Sequence, residues 1–329
     1  MANVNLTTGE LQYLLSTWYD SKLLEQAKQK FVLWNQVDHK PMPKNAGKIV
    51  KWSRYSLLGP VNEASESATP DIVALSAVNV TATLIQFTSS TKTSDLLTLT
   101  AIDPQIESAV EQLSYQVAIT LDTYVRNVAL GLTGGVSSTN QDVAGPGQSN
   151  NSLIRLIHSG NTNLSGLVAA NSMDVAEILN ATNYLRTLNA PEFEDGFYHG
   201  VMHPKVEKDV LADSTAVVSW AAWNQSTAMG QEKMERGMIG NIMGVKFFRS
   251  TNMWFHNSGT SGSTISAYYT PIFGKGAVGV VDIDGAVKTY VVQGADSGNP
   301  AATFSLVSFK VTTAARVLNP SFGVILITA

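Results

Sequence analysis

The segment 103–131 constrains this fold more than any other. Asp103-Pro104 offers a side-chain N-cap followed by a proline at the first helical position, where its missing N–H costs nothing. Ile106, Val110, Leu113, Val117, Leu121, Tyr124 and Val128 then recur every three or four residues, and Gly131 with Gly134-Gly135 supplies the stop. The spacing predicts one helix of about seven to eight turns, roughly 40 Å long. An ordinary globular helix has ~10–14 residues. A body that packs along one apolar stripe of this length is built on a spine.

Strand patterns flank it. Lys48–Leu57 and Val78–Thr88 alternate with period two. They are joined by a Ser-, Ala- and Glu-rich stretch over 58–76. This predicts an extended two-stranded ribbon, and an isolated ribbon is marginal in water unless another chain lies against it. Upstream, Leu11, Leu14, Leu15, Trp18, Leu23, Ala27, Phe31 and Trp34 form a helical stripe that Pro41 and Pro43 end. Downstream, 133–165 is a Gly/Ser/Asn-rich loop. Helices are expected at 173–188, 204–211 and 215–223, and a strand at 197–202. Two glycine-punctuated blocks, 238–250 and 268–281, read as strands and turns. Asp284-Gly285 reads as a hairpin between 278–283 and 286–293. Strands at 303–310 and 322–328, with a helical turn near 313–317, close an α+β chain.

Composition narrows the function. Charged residues make up 15% of the 329, although hydrophobic content is 44%; a typical soluble domain carries about 25% charged residues. The deficit fits a surface covered by partners or a surface rich in Ser, Thr and Asn, and both stand. Residues 1–60 carry a net +4 within a chain of net −4. Such a basic segment faces a polyanion, docks on an acidic neighbour or lies on a solvated helix. The absence of cysteine excludes disulfides, zinc–thiolate sites and thiol catalysis. No signal peptide and no membrane-spanning stretch are expected.

Chemical motifs do not assemble. His199 and His203 have metal-helix spacing, but Gly200 stands where a zinc protease needs glutamate, and Pro204 begins a new helix. Gly274-Lys275-Gly276 lacks the spacing of a phosphate loop and reads as a sharp turn. Glu107, Glu111 and Asp122 read as solvated or inter-subunit carboxylates. No metal, cofactor or catalytic residue is expected.

The order of several motifs resembles a known family. Pro43-Lys44-Asn45-Ala46-Gly47-Lys48 leads into a strand with Trp52 and Arg54. Ser94-Asp95-Leu96-Leu97 and Ala101-Ile102-Asp103-Pro104 precede the long helix, and Leu121-Asp122-Thr123-Tyr124-Val125-Arg126 lies within it. Gly200-Val201-Met202-His203-Pro204 and Leu318-Asn319-Pro320 follow. The chain resembles, over nearly its whole length, the tailed-bacteriophage major capsid proteins of N4-like podophages. The loops 133–165 and 294–300 depart from that pattern.

The resemblance implies the HK-97-like capsid fold: an N-terminal arm over 1–45, an E-loop over 46–100, and a peripheral domain with spine helix and loop over 101–164. An axial domain over 165–300 and peripheral C-terminal strands over 301–329 complete it. It implies a non-enzymatic virion protein assembling as hexamers and pentamers of an icosahedral shell around phage double-stranded DNA, in the host bacterial cytoplasm. Its partners would be its own copies, a portal protein, and separate scaffolding and decoration proteins, with no membrane. The expected assembly interface is Trp52, Arg54 and Tyr55 on the ribbon, acidic Glu63, Glu66 and Asp71 near its tip, and Lys44 and Lys48 on the basic side. The alternatives are an encapsulin-like nanocompartment shell and, more remotely, a soluble enzyme with a cleft over 200–280.

Overall fold

The computed structural model describes residues 23, 31–43, 45–55, 58–61, 63, 72–100, 105–132, 153–158, 167–212, 241–260, 263–283, 287–292 and 298–329. Its strands are β1 (Asp38–Met42), β2 (Ile49–Tyr55), β3 (Ala77–Thr83) and β4 (Ile85–Ser94). Helices α1 (Asp95–Thr100) and α2 (Gln105–Leu130) follow, then β5 (Ile154–Ile157), α3 (Val175–Thr187), β6 (Tyr198–Met202) and α4 (Pro204–Ala212). The rest is β: β7 (Asn241–Ile242), β8 (Val245–Arg249), β9 (Phe255–Thr260), β10 (Ser263–Phe273), β11 (Val278–Ile283), β12 (Lys288–Val292), β13 (Phe304–Thr313), β14 (Ala315–Val317) and β15 (Gly323–Thr328).

The spine helix α2 forms as its stripe predicts, with Val110, Leu113, Val117, Leu121 and Val125 buried. The expected cap at Asp103-Pro104 lies outside the described residues. The stop is a Schellman closure: Gly131 at φ 67° donates to the Val128 carbonyl at 3.2 Å, and Leu132 donates to Asn127 at 2.9 Å. The helix changes character along its length. Glu107, Glu111, Tyr115 and Ile119 leave one face in water, whereas Leu121–Leu130 is mostly buried all round. Polar residues in that second half must find partners inside the protein.

The spine packs most closely on β4, β13 and β14, and shares one core with a seven-stranded sheet of order β5-β15-β10-β6-β8-β7, with β9 hydrogen-bonded to β10. Strand β15 is its middle layer. Ile325 and Ile327 face the spine helix, while Val324 and Leu326 face α3 and α4. Burial on both faces explains the continuous apolar run Val324-Ile325-Leu326-Ile327. Two smaller sheets, β1-β11-β14 and β12-β13-β4, flank this body, and β2 and β3 pair only with each other.

The second glycine-punctuated block is divided between sheets. Its first half ends β10 in the large sheet, and its second half is β11 in the sheet with β1 and β14. The crossing is at Gly274, whose N–H donates to the Phe322 carbonyl at 2.8 Å. A Cβ there would stand 2.8 Å from the Pro191 carbonyl oxygen and 3.0 Å from that of Phe322, both backbone atoms that cannot swing away. Gly274→Ala is therefore expected to destabilise the subunit by about 1–3 kcal/mol, the usual scale for overpacking, measured as a lower urea midpoint.

Several local expectations are corrected. Strands β11 and β12 do not form a hairpin at Asp284-Gly285; β11 pairs with β1 and β14, and β12 pairs with β13. The segment expected as a helical turn near 313–317 contains strand β14, whose Val317 lies opposite Val278. The strand expected over 78–88 breaks at Leu84: β3 stays in the ribbon and β4 joins β13. The N-terminal stripe is not helical to its end, because residues 34–36 form a 3-10 turn before β1. Of that stripe's earlier part only Leu23, helical and buried, is described. The helix expected at 215–223 and most of the 133–165 loop lie outside the described residues. Strand pairing also splits the C-terminal segment, since β13 and β14 join the smaller sheets and β15 joins the large one.

Candidate functional site

The ribbon has two unlike faces. Val50, Trp52 and Arg54 stand opposite Ala82, Val80 and Val78 on one; Ile49, Lys51, Ser53 and Tyr55 stand opposite Thr83, Thr81, Asn79 and Ala77 on the other. Its first face is seated on the body: Val50 and Ala82 pack with Met42, Val281 and Ala314, and Arg54 reaches Leu318 and Asn319 near the last ribbon pair. Elsewhere on the ribbon and past its last pair, large apolar side chains stand in water. Tyr55 is 61% exposed, Val61 87% and Ile72 93%, and Ile49, Leu58, Val73, Leu75 and Val78 join them. Exposed apolar side chains in this number are a feature of protein–protein contact surfaces.

Of the residues expected at an interface, the structure places Trp52 and Arg54 on the seated face of the ribbon, where the subunit itself uses part of each. Trp52 is half-buried with the Lys40 ammonium 5.6 Å from its ring centre. Arg54 Nη1 donates to Asn319 Oδ1 at 2.8 Å. Tyr55, Lys48 and Glu63 are exposed. Lys44, Glu66 and Asp71 lie outside the described residues. Between the ribbon base, β1 and the Leu318-Asn319 turn runs a cleft of about 530 Å³ that includes Asp38, Lys40 and Lys275. The sequence did not single out these last three as members of one site, because they come from segments more than two hundred residues apart.

Beside this cleft, His39 clasps β1 to β11. One ring nitrogen lies 2.8 Å from Asp282 Oδ2 and the other 2.9 Å from the Trp34 carbonyl oxygen. Both partners accept, so the doubly protonated ring satisfies both, and the hydrogen bond to Asp282 holds the imidazole above its ordinary 6.5. Asp282, in strand β11, is thus an anchor for β1. A raised histidine pKa contributes stability that is fully present below the unfolded value and is lost as pH rises through the folded one. Hydrogen exchange of the β1 amides is therefore expected to quicken, beyond its intrinsic pH dependence, as pH climbs above 6.5. In His39→Gln that extra sensitivity is expected to vanish.

The motif Leu121–Arg126 ties the spine to three separate segments. Asp122, expected on a solvated or inter-subunit face, is instead 5% exposed and accepts the backbone N–H groups of Val32 (3.0 Å), Leu33 (3.4 Å) and Trp34 (2.9 Å). Burial pushes its carboxyl up, opposed by those three donors. Thr123 meets the side chain of Asn252, and the Tyr124 hydroxyl accepts the Ala315 N–H at 3.2 Å. Arg126 donates to the Asn252 carbonyl at 2.6 Å and to Asn127 Oδ1, and burial lowers its guanidinium to about 10.

The two histidines with metal-helix spacing do not converge. His199 binds Asp195 Oδ2 at 3.0 Å and stacks on Phe193, while His203 accepts the Lys205 N–H and lies beside Tyr268. Among the described residues no group of three or more His, Asp or Glu is placed to hold a metal ion, and no helix is long and apolar enough to cross a membrane.

Neither a protein-family profile nor a curated protein matches the chain in sequence. Solved structures match it in fold. The capsid of Ralstonia phage GP4 is 14% identical, with a TM-score of 0.69 and 91% of each chain covered. The capsid of cyanophage P-SCSP1u is 17% identical, with a TM-score of 0.62 over 89% of this chain and 86% of that one. A virus-like particle from Pyrococcus furiosus is 12% identical, with a TM-score of 0.51 over 94% and 97%. Near-complete coverage in both directions leaves no large part of the body to another architecture. The chain has the α+β, HK-97-like fold of tailed-phage capsids.

Proposed function

We propose that this chain is the major capsid protein of a tailed bacteriophage of the N4-like podophage group. Its copies associate as hexamers and pentamers of an icosahedral shell around double-stranded DNA, assembled in the host bacterial cytoplasm. Portal, scaffolding and decoration proteins act as separate partners. The observation that carries this reading is the ribbon: among the described residues, a chain with a capsid fold leaves many exposed apolar side chains on and just past a two-stranded projection whose strands pair only with each other. Such a projection is explained by a neighbour that covers it. The protein works by shape, and the buried polar groups Asp122, Tyr124 and Arg126 hold the spine to neighbouring segments.

Within that reading, residues 1–45 are the arm and 46–100 the E-loop. The spine segment 101–164 starts the peripheral domain, and the axial domain begins at 165. Strand pairing favours one change to the later boundaries. Strands β11 to β14 rejoin the smaller sheets near the ribbon base, and β15 returns to the axial sheet. The likeness to the Pyrococcus furiosus particle keeps a second shell reading, a nanocompartment that encloses protein. Velocity sedimentation and negative-stain microscopy of the expressed chain, alone and with its phage's scaffolding protein, test the proposal. Closed shells are expected, and particles from infected cells should hold DNA. Protein that stays monomeric in every preparation would rule the proposal out; shells filled with protein cargo would favour the second reading.

A further inference from the structure

We infer that the cleft between the ribbon, β1 and the Leu318-Asn319 turn binds a small phosphate-bearing ligand with a flat apolar end, the chemistry of a free nucleoside triphosphate. The inference goes beyond the shell reading and does not depend on it. The cleft, about 530 Å³, falls within the ~300–1,000 Å³ usual for small-molecule sites. Its lining divides as such sites do, into an apolar wall and a few convergent polar groups. Trp52, Val80, Leu318 and Phe322 give the wall. Lys40, Arg54 and Lys275 give three cations, each from a separate segment.

The subunit does little to neutralise these cations. Among the described residues, Arg54 meets the neutral oxygens of Leu318 and Asn319, and Lys40 meets the Lys51 carbonyl and the face of Trp52. Lys275 reaches Glu194 at 3.2 Å, but that carboxylate is 91% exposed, and a surface pair of this kind contributes little. The one carboxylate among the lining residues, Asp38, accepts the Gly276 N–H, and burial pushes its carboxyl up. A ligand with several negative oxygens answers all three cations at once, and an arginine fork suits phosphate in particular. An extended acidic peptide fits less well. Strand β1 is an edge strand, paired with β11 among the described residues, and its Pro41, in the cleft lining, has no N–H to offer an added strand. A compact ligand can instead lay a base against Trp52 and turn its phosphates to the cations. Bound there, it would join β1, the ribbon and the turn at Lys275, and so fix the angle at which the ribbon leaves the body.

The probe is ATP, added to the purified full chain in whichever assembly state it adopts. Equilibrium dialysis is expected to show saturable binding. A change in tryptophan fluorescence should accompany it and be absent in Trp52→Phe, and hydrogen exchange in β2 and β3 should slow. Lys40→Gln and Arg54→Gln are each expected to weaken binding about tenfold, equivalent to ~1.4 kcal/mol, with circular dichroism unchanged. Lys48→Gln, at an exposed ribbon cation outside the cleft lining, should bind as the parent does. Adenosine, which lacks phosphate, and inorganic triphosphate, which lacks the ring, should both bind more weakly than ATP. A short single-stranded oligonucleotide distinguishes free nucleotide from nucleic acid. No saturable binding of ATP, or an equal loss in Lys48→Gln, would overturn the site. An oligonucleotide that displaces ATP and binds more tightly would overturn it in favour of a nucleic-acid contact. Protein that binds ATP but never forms shells would uphold the site and count against the shell reading; shells that bind no ATP would do the reverse.

Discussion

Joining Leu57 to Ala77, so that residues 58–76 are removed, is expected to leave a folded subunit that forms no shells. The register makes the deletion clean. Tyr55 and Ala77 are the last paired residues of the ribbon, so Ser56 and Leu57 become a two-residue connection between them, a length that closes antiparallel hairpins. Replacing that pair by Asn-Gly gives a second variant with better turn chemistry. None of the described residues among those deleted belongs to the subunit's cores; the ribbon is seated by Val50 and Ala82, which stay. Its far-ultraviolet circular dichroism and urea midpoint should match those of the intact chain. What disappears is apolar contact area, worth about 1.5–3 kcal/mol for each Leu, Ile or Val fully buried on a neighbour. The immobilisation of the partners offsets part of this, but the loss recurs at every copy of the contact around a closed shell. Sedimentation should show small species only. Normal particles from either variant would remove the ribbon tip from assembly.

The spine was legible because twenty-odd residues repeated one period and Gly131 marked its end. The ribbon was legible for a related reason, since Lys48–Leu57 alternates between faces, and the structure shows that alternation over Ile49–Tyr55. The errors share one cause. Asp284-Gly285 carries the local grammar of a hairpin, yet β11 finds its partners in β1 and β14. Sheet partners are decided by the whole packing and not by the nearest turn. Strand β14 is three residues long and exists because β11 lies beside it. Asp122 was read as solvated because its acceptors' donors sit about ninety residues earlier, out of reach of any periodicity. The cleft was partly legible. Trp52 and Arg54 stood out on the ribbon, but Lys40, Lys275 and Asn319 are ordinary surface residues until the fold brings them together.

Asp122→Ala should cost the subunit about 3 kcal/mol, the largest loss expected from a single substitution here. The carboxylate accepts three backbone N–H groups at the turn where the N-terminal segment meets the spine, with Leu33 and Trp34 buried beside it. These N–H groups lie at the opening of a 3-10 turn, and among the described residues the carboxylate is their acceptor. Alanine removes their shared acceptor and leaves a space too small and apolar to hydrate all three. Each buried donor left unmade costs about 1–3 kcal/mol; the half-exposed Val32 N–H regains water and keeps the total near the middle of the sum. Asp122→Asn retains one acceptor oxygen and should lose about half as much. Glu111→Ala, at an exposed position on the same helix, should fall within about 0.5 kcal/mol of the parent. Urea midpoints rank the three, and hydrogen exchange locates the damage. Faster exchange should concentrate at residues 32–34 and along β1, which that turn delivers to β11. A loss spread evenly over the large sheet, or an Asp122→Ala midpoint equal to that of Glu111→Ala, would show that the N-terminal segment is held to the spine by packing of Leu33 and Trp34 and not by this carboxylate.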